Sequence, residues 1–162
     1  FYFFFFIFWV PEIKVKQVAA GLKYHGIQPG DKIIIVSENR PECIISDLAI
    51  NTLNAITVPA YTTNTEDDHR YIIEHSDAKA VIVSNNTLAN RIALALSKVD
   101  SCNLLITIDE YSGFMPEGLK VESFEKLPAE VQNSYSVNMS NSLSKYLLPI
   151  LPFVDQKSFE KY

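Results

Sequence analysis

The chain has 162 residues, 48% of them hydrophobic and 20% charged, and carries a net charge of −5. That length suits about one domain with a self-sufficient core, and the composition excludes disordered, collagenous and coiled-coil chains. The acidic balance, with a pI near 5.2, argues against a nucleic-acid or anionic-membrane partner, because no cationic surface would release counterions from phosphates.

The chain opens with Phe-Tyr-Phe-Phe-Phe-Phe-Ile-Phe-Trp-Val. Ten apolar residues reach ~15 Å as a helix, half of a ~30 Å hydrocarbon core, so the run is too short for a transmembrane span. It has no basic flank and no small-residue cleavage site, so it is a poor signal peptide. Three readings fit it: a strand buried against an absent partner, the tail of a signal or anchor, or an artefactual or truncated start. Residues 1–13 are therefore set apart as an apolar aromatic leader.

Val15, Val18, Ala19 and Leu22 then recur at helical spacing, with Gly26 placed as a C-cap. Gln28-Pro29-Gly30-Asp31 has the residues of a type II turn. Four short β-branched runs follow: Lys32–Val36, Ala55–Val58, Ala80–Val83 and Leu104–Ile108. Their centres are 23 to 25 residues apart. Continuous rather than alternating hydrophobicity predicts strands covered on both faces.

Helical patterns fill the gaps between these runs. The first is Ile44, Ile45, Leu48, Ala49 and Leu53 behind Pro41. The second opens with the capping box Thr65-Glu66-Asp67-Asp68 and runs to about His75. The third is Leu88, Ile92, Ala95, Leu96 and Val99. Residues 14–110 thus predict an α/β fold of repeating βα units, a mostly parallel sheet with helices on both faces. Residues 111–162 hold no sustained period and read as an irregular, truncated or divergent tail. Within it, Asn133–Lys145 is rich in Ser and Asn, and Pro149 and Pro152 interrupt the apolar run Tyr146–Phe153.

Ligands of open parallel sheets bind beyond the carboxyl ends of the strands, which directs attention to Ser37-Glu38-Asn39-Arg40-Pro41-Glu42. That loop has no glycine to let backbone amides crowd a pyrophosphate. Arg40 has the chemistry to clamp a carboxylate or phosphate. The plainer reading has Asn39 capping the next helix and Arg40 pairing with Glu38 or Glu42. Gly21/Gly26 and Gly113/Gly118 share the spacing of a phosphate loop, but Ile27 and Leu119 stand where lysine is required.

Metal and nucleophile signatures are equally thin. His69 and His75 lie six residues apart, about 240° around a helix, and cannot share an ion. His25 sits at a helix end, where a cation suits the dipole, and Glu66, Asp67 and Asp68 are ordinary partners of a helix N-terminus. There is no Gly-x-Ser-x-Gly elbow. Cys43 and Cys102 have no histidine nearby in sequence, are too few for a disulfide framework or a structural zinc site, and read as buried, reduced thiols of a cytosolic protein. No catalytic, cofactor-binding or metal residue is assigned.

A set of ordered motifs carries more information. They are Val18-Ala19-Ala20-Gly21-Leu22, Gly26-Ile27-Gln28-Pro29-Gly30-Asp31-Lys32, Ser37-Glu38-Asn39-Arg40-Pro41-Glu42, Asp47-Leu48-Ala49-Ile50, Val58-Pro59-Ala60-Tyr61-Thr62-Thr63-Asn64-Thr65 and Tyr71-Ile72-Ile73-Glu74-His75-Ser76-Asp77-Ala78-Lys79. In that order, residues 14–109 resemble the N-terminal subdomain of the adenylate-forming acyl-CoA synthetases, the AMP-binding family. They are most similar to its long-chain fatty acyl-CoA ligases, a branch that the Pro59–Thr63 stretch favours over aryl ligases and peptide-synthetase adenylation domains.

The resemblance implies a two-step parent reaction. A fatty acid and ATP give an acyl-adenylate and pyrophosphate, and the thiol of CoA then displaces AMP. ATP, Mg and CoA would serve that parent. The family's Ser/Thr/Gly-rich loop ending in Pro-Lys-Gly, its Tyr-x-x-Thr-Glu segment, its adenosine-binding Asp and its C-terminal-domain lysine have no counterpart here, so no site residue carries over. Asn54 departs from the family by replacing a glycine at a helix end that wants a left-handed residue.

The resemblance thus implies the N-terminal part of an AMP-dependent ligase, inactive alone, whose partner is the missing remainder of the synthetase. Fatty acid would be bound only by the intact parent, in the cytoplasm and at the membrane periphery. A sheet cut from its partner layer exposes apolar surface, so self-association is expected. Two alternatives stand beside this reading: a stand-alone non-catalytic module or half of a split enzyme, and a flavodoxin-like nucleotide- or flavin-binding domain.

Overall fold

Residues 2–127 are described by a computed structural model, with side chains from Glu12 onward. The first helix, α1, spans Tyr2–Tyr24 with Pro11 inside it. From Tyr2 the leader's backbone is therefore helical and continuous with the first amphipathic stripe, which replaces the buried-strand reading. Among the described residues no helix is long and apolar enough to cross a membrane. Helix α1 ends where Gly26 takes φ +90°. Its N–H donates to Lys23 O at 2.9 Å and that of Ile27 to Leu22 O at 3.2 Å, the paired bonds of a Schellman cap.

Strand β1 occupies Lys32–Val36, the run marked in the sequence. Helix α2 follows at Pro41–Thr52 with Arg40, not Asn39, at its N-cap. Proline at the first helical position disfavours α geometry for the residue before it. Arg40 is accordingly extended, at φ −140° and ψ 158°, and no side chain caps the helix. Strand β2 spans Ile56–Pro59. Ala55, expected inside that strand, instead donates its N–H to Ile50 O and closes the helix end.

Helix α3, Glu66–Ser76, opens on the anticipated capping box. The Asp68 carboxylate accepts from the Thr65 N–H at 2.9 Å, and Thr65 Oγ1 accepts from the Asp68 N–H at 3.3 Å. Strand β3 spans Ala78–Val83. Helix α4, Asn86–Leu96, is capped by the Asn85 side chain, which accepts from the Leu88 N–H at 2.9 Å. Strand β4 is Leu104–Thr107.

Two elements fall inside the stretch that read as aperiodic: strand β5, Lys120–Ser123, and a 3₁₀ turn at Phe124–Lys126. The α/β unit therefore continues to Leu127. The loop and apolar readings of Asn133–Lys145 and Tyr146–Phe153 lie outside the described residues.

The five strands form one sheet in the order β2-β1-β3-β4-β5, and every pairing is parallel. Alternate residues of each strand feed opposite cores. Ile33, Ile35, Ala80, Ile82, Leu104 and Ile106 pack with Val15, Val18 and Leu22 of α1, Ala49 and Ile50 of α2, and Phe124 and Leu127. Ile34, Val36, Val81, Val83 and Leu105 pack with Ile73 of α3 and Leu88, Ile92 and Leu96 of α4. Sheet edge β2 ends on Pro59, which has no N–H to offer an intruding strand.

Asn54 has φ +55°, the left-handed conformation that its position demanded. Its carbonyl accepts from the Gly30 N–H at 2.8 Å and so ties the end of α2 to the turn before β1.

Candidate functional site

In a doubly wound sheet, crossovers leave in opposite directions at one point, and the carboxyl-end crevice there is the usual ligand position. Here that point lies between β1 and β3. Loop residues 37–40 follow β1, Ser84 and Asn85 follow β3, and Asp109 lies two residues past β4. Backbone bonds hold the three exits in step: Ser84 N–H to Val36 O at 3.2 Å, Ile108 N–H to Val83 O at 2.9 Å, and Asp109 N–H to Ser84 O at 3.0 Å.

Arg40 is the hub of this crevice. Its Nε donates to Glu42 Oε2 at 2.8 Å, and its Nη1 donates to Asp109 Oδ1 at 3.0 Å and Ser84 O at 3.3 Å. Glu38 lies beside it, accepting from the buried Ser84 hydroxyl and, at 2.7 Å, from Asn85 Nδ2. The Ser84 bond, helped by the Glu38 backbone and the Arg40 charge, holds Glu38 below the usual carboxylate range. The guanidinium does the same for Glu42. Arg40 thus pairs with Glu42, as the plainer reading held, but its second carboxylate is Asp109 rather than Glu38.

Chemically, this arrangement locks three loops together. It places three carboxylates around one guanidinium, and Arg40 already donates to two of them and to a main-chain carbonyl. A polyanionic phosphate chain would meet carboxylates here, with no glycine-rich backbone to receive it and Arg40 already engaged. Among the described residues no group of three or more His, Cys, Asp and Glu is placed to hold a metal ion. The residues present therefore do not fit the phosphates of ATP or their magnesium.

The other candidates are dispersed. His69 is buried on α3, whereas His75 stacks on Tyr71 with ring centroids 5.3 Å apart. His25 lies past the end of α1 with Nε2 3.7 Å from Glu122 Oε1, a pair that forms only when the imidazole is protonated. The acidic trio is shared out: Asp68 to the capping box, Asp67 to Arg70 at 3.4 Å and Glu66 to Lys98 at 2.6 Å.

Gly21, half of one phosphate-loop pair, serves packing, since a Cβ there would come within 2.8 Å of Leu127 Cβ. Both cysteines are free, and burial pushes the Cys102 thiol up to about 11. Sequence reasoning missed Ser84, Asn85 and Asp109. Each lies within two residues of the end of a β-branched run, and reading those ends together would have found them.

A family model described as AMP-binding enzyme matches residues 12–138. The curated relatives include long chain acyl-CoA synthetase 7, peroxisomal, of Arabidopsis thaliana, 27% identical over 124 residues, covering 74% of this chain and 18% of that protein. Long chain acyl-CoA synthetase 6, peroxisomal, of the same plant is 30% identical over 115 residues, covering 68% and 16%. Among solved structures, a benzoate CoA ligase from Burkholderia xenovorans LB400 aligns with a TM-score of 0.60 at 26% identity, over 72% of this chain and 22% of that one. The chain spans less than a fifth of the length of these two curated relatives. Strand order 2-1-3-4-5 is also that of flavodoxin-like sheets. Topology alone therefore left that alternative open, and the family match separates the two.

Proposed function

The chain belongs to the AMP-binding enzyme family, and from that membership we propose that it is the N-terminal part of a long-chain fatty acid–CoA ligase. The parent reaction converts ATP, fatty acid and CoA to acyl-CoA, AMP and pyrophosphate. The observation that carries the reading is the family match over residues 12–138, joined to curated relatives named for long-chain acyl-CoA synthesis. Fatty-acid metabolism in the cytoplasm, at the membrane periphery, belongs to the same proposal.

Within that enzyme these residues act as scaffold. Adenylation needs basic groups and a magnesium ion to stabilise charge developing at the α-phosphorus. The crevice around Arg40 instead gathers Glu38, Glu42 and Asp109. ATP, Mg and CoA are therefore assigned to the remainder of the synthetase, which is also the proposed partner of this chain. Exposed Ile44, Ile56, Tyr61, Phe114 and Met115 supply apolar surface for that contact and, without it, for self-association.

Acyl-hydroxamate formation from ATP and palmitate tests the proposal. The purified chain is expected to give none, and the chain joined to the downstream part of a relative such as the peroxisomal long-chain synthetase is expected to give product. Turnover by the 162-residue chain alone, or no turnover by a folded joined chain, would overturn it.

A further inference from the structure

The connection between β2 and α3 is held from outside. Arg91, on α4, donates from Nη1 to Thr62 O at 3.0 Å and to Asn64 O at 2.8 Å. Within the connection only one backbone bond closes the turn, Asn64 N–H to Tyr61 O at 3.2 Å. The loop's conformation therefore depends on a charged side chain 27 residues further along the chain. Tyr61, at its tip, is 79% exposed, an aromatic side chain presented on backbone fixed by that guanidinium.

His69 lies on α3, the helix into which the clamped loop runs and which packs against α4. The imidazole is 1% exposed, and its Nε2 has no hydrogen-bond partner among the described residues. The charged groups acting on it are Arg91, from α4, and Asp68, from its own helix. Asp68 opposes the Arg91 charge only in part, since its carboxylate already accepts from the Thr65 N–H and hydroxyl. Burial first, and Arg91 second, hold the imidazole below its ordinary value. In the protonated ring both nitrogens carry a proton, so the buried Nε2–H has no acceptor, and the ring adds a positive charge to the one Arg91 already exerts on it.

We propose that His69 and Arg91 form a proton-operated latch on the loop that presents Tyr61. With His69 neutral, Arg91 stays on the two loop carbonyls. Protonation repels the guanidinium, which is half-buried and can swing into solvent, while the imidazole has no such path. Thr62 and Asn64 then lose their shared donor, and residues 61–64 open while the sheet stays folded. The latch concerns only the geometry of this segment and holds whether or not the ligase proposal is right.

The test follows His69 by NMR in the 162-residue chain from about pH 7.5 to pH 5, together with amide exchange corrected for intrinsic rates. The expected result is a His69 midpoint below about 6.5. Across that titration, protection of the Asn64 amide, the one bonded within the turn, should fall at least fivefold, while the amides of Val81, Ile82 and Val83 keep theirs. In Arg91→Gln, which keeps a donor for the carbonyls but no charge, loop protection should stay constant across the same range. His69→Leu should behave likewise.

Three outcomes would overturn the latch. They are loop protection unchanged through the His69 titration, loss of protection in the loop and β3 together, and a pH dependence that survives in Arg91→Gln. The wild-type and Arg91→Gln measurements decide the matter even if His69→Leu fails to fold.

Discussion

Truncating Phe124 to alanine tests whether the stretch beyond β4 belongs to the core. Phe124 is fully buried, at the start of the turn that follows β5, in the core shared by α1, α2 and one face of the sheet. Removing a buried phenyl ring loses ~2–3 kcal/mol of transfer free energy. A residual cavity of roughly 80 Å³ adds about 2 kcal/mol at ~24 cal/mol per Å³. Lys14 Nζ, 5.6 Å from the ring centroid, adds about 0.5 kcal/mol.

The expected loss for Phe124→Ala is therefore about 5 kcal/mol, a large fraction of the ~5–15 kcal/mol that stabilises a domain. Urea unfolding followed by far-ultraviolet circular dichroism reads it directly. With a slope of about 2 kcal/mol per molar, the midpoint should fall by about 2.5 M. Phe124→Leu, which refills most of the space, should lose about a third as much. A midpoint shift under about 0.5 M for Phe124→Ala would refute the reasoning, because it would mean that the segment from Lys120 to Leu127 packs on the sheet without contributing to its stability.

Two further outcomes are expected. Asn54, at φ +55°, should tolerate glycine with no loss, whereas Asn54→Ala should cost about 1 kcal/mol. In thermal melts that is a fall of roughly 2–4 °C, and equal melting temperatures for the two variants would contradict the strain argument. Glu38 is held below the ordinary carboxylate range by the Ser84 hydroxyl, with further help from its own backbone, Arg40 and Asn85. The folded state then binds fewer protons than the unfolded state, so its contribution is complete above the unfolded value and is lost as pH falls through the folded one. Glu38→Gln should flatten the decline of the urea midpoint between about pH 5 and pH 3, and an unchanged slope would remove the assignment.

The sequence revealed this fold wherever burial imposed a regular pattern. Ile33, Ile34, Ile35 and Val36 are all buried because α1 and α2 cover one face of β1 and α3 and α4 the other. That is why a continuous run, rather than an alternating one, marked a strand. Thr65 and Asp68 were legible because a capping box is a contact between residues three apart. Strand β5 was not. Lys120-Val121-Glu122-Ser123 lies at the sheet edge and is nowhere fully buried, so its pairing with β4 left no hydrophobic signature.

The N-cap of α2 was misplaced by one residue because the fixed φ of Pro41 acts on its predecessor, a backbone constraint that outranked the capping preference of Asn39. Arg40 was noticed, but its partner Asp109 lies 69 residues away. Only the parallel register that brings the exits of β3 and β4 together makes that bond possible.

The same register explains why a scaffold role suits the crevice better than a catalytic one. Parallel pairing delivers the ends of β1, β3 and β4 to one place, and each arrives with a polar group: Glu38, Ser84 and Asp109. Ser84 is buried and its hydroxyl needs a partner, whereas Glu38 and Asp109 are exposed but bring two like charges to one place. Arg40 resolves the conflict by bridging two of the exits, while Ser84 and Asn85 satisfy Glu38. A ligand entering this position would have to replace several charge-assisted bonds, each worth more than a neutral hydrogen bond. An anion would do so against three carboxylates. The groups that make the crevice stable as part of a fold are thus the ones that unfit it for a triphosphate, and in the proposed ligase the nucleotide would be gripped by the remainder of the enzyme.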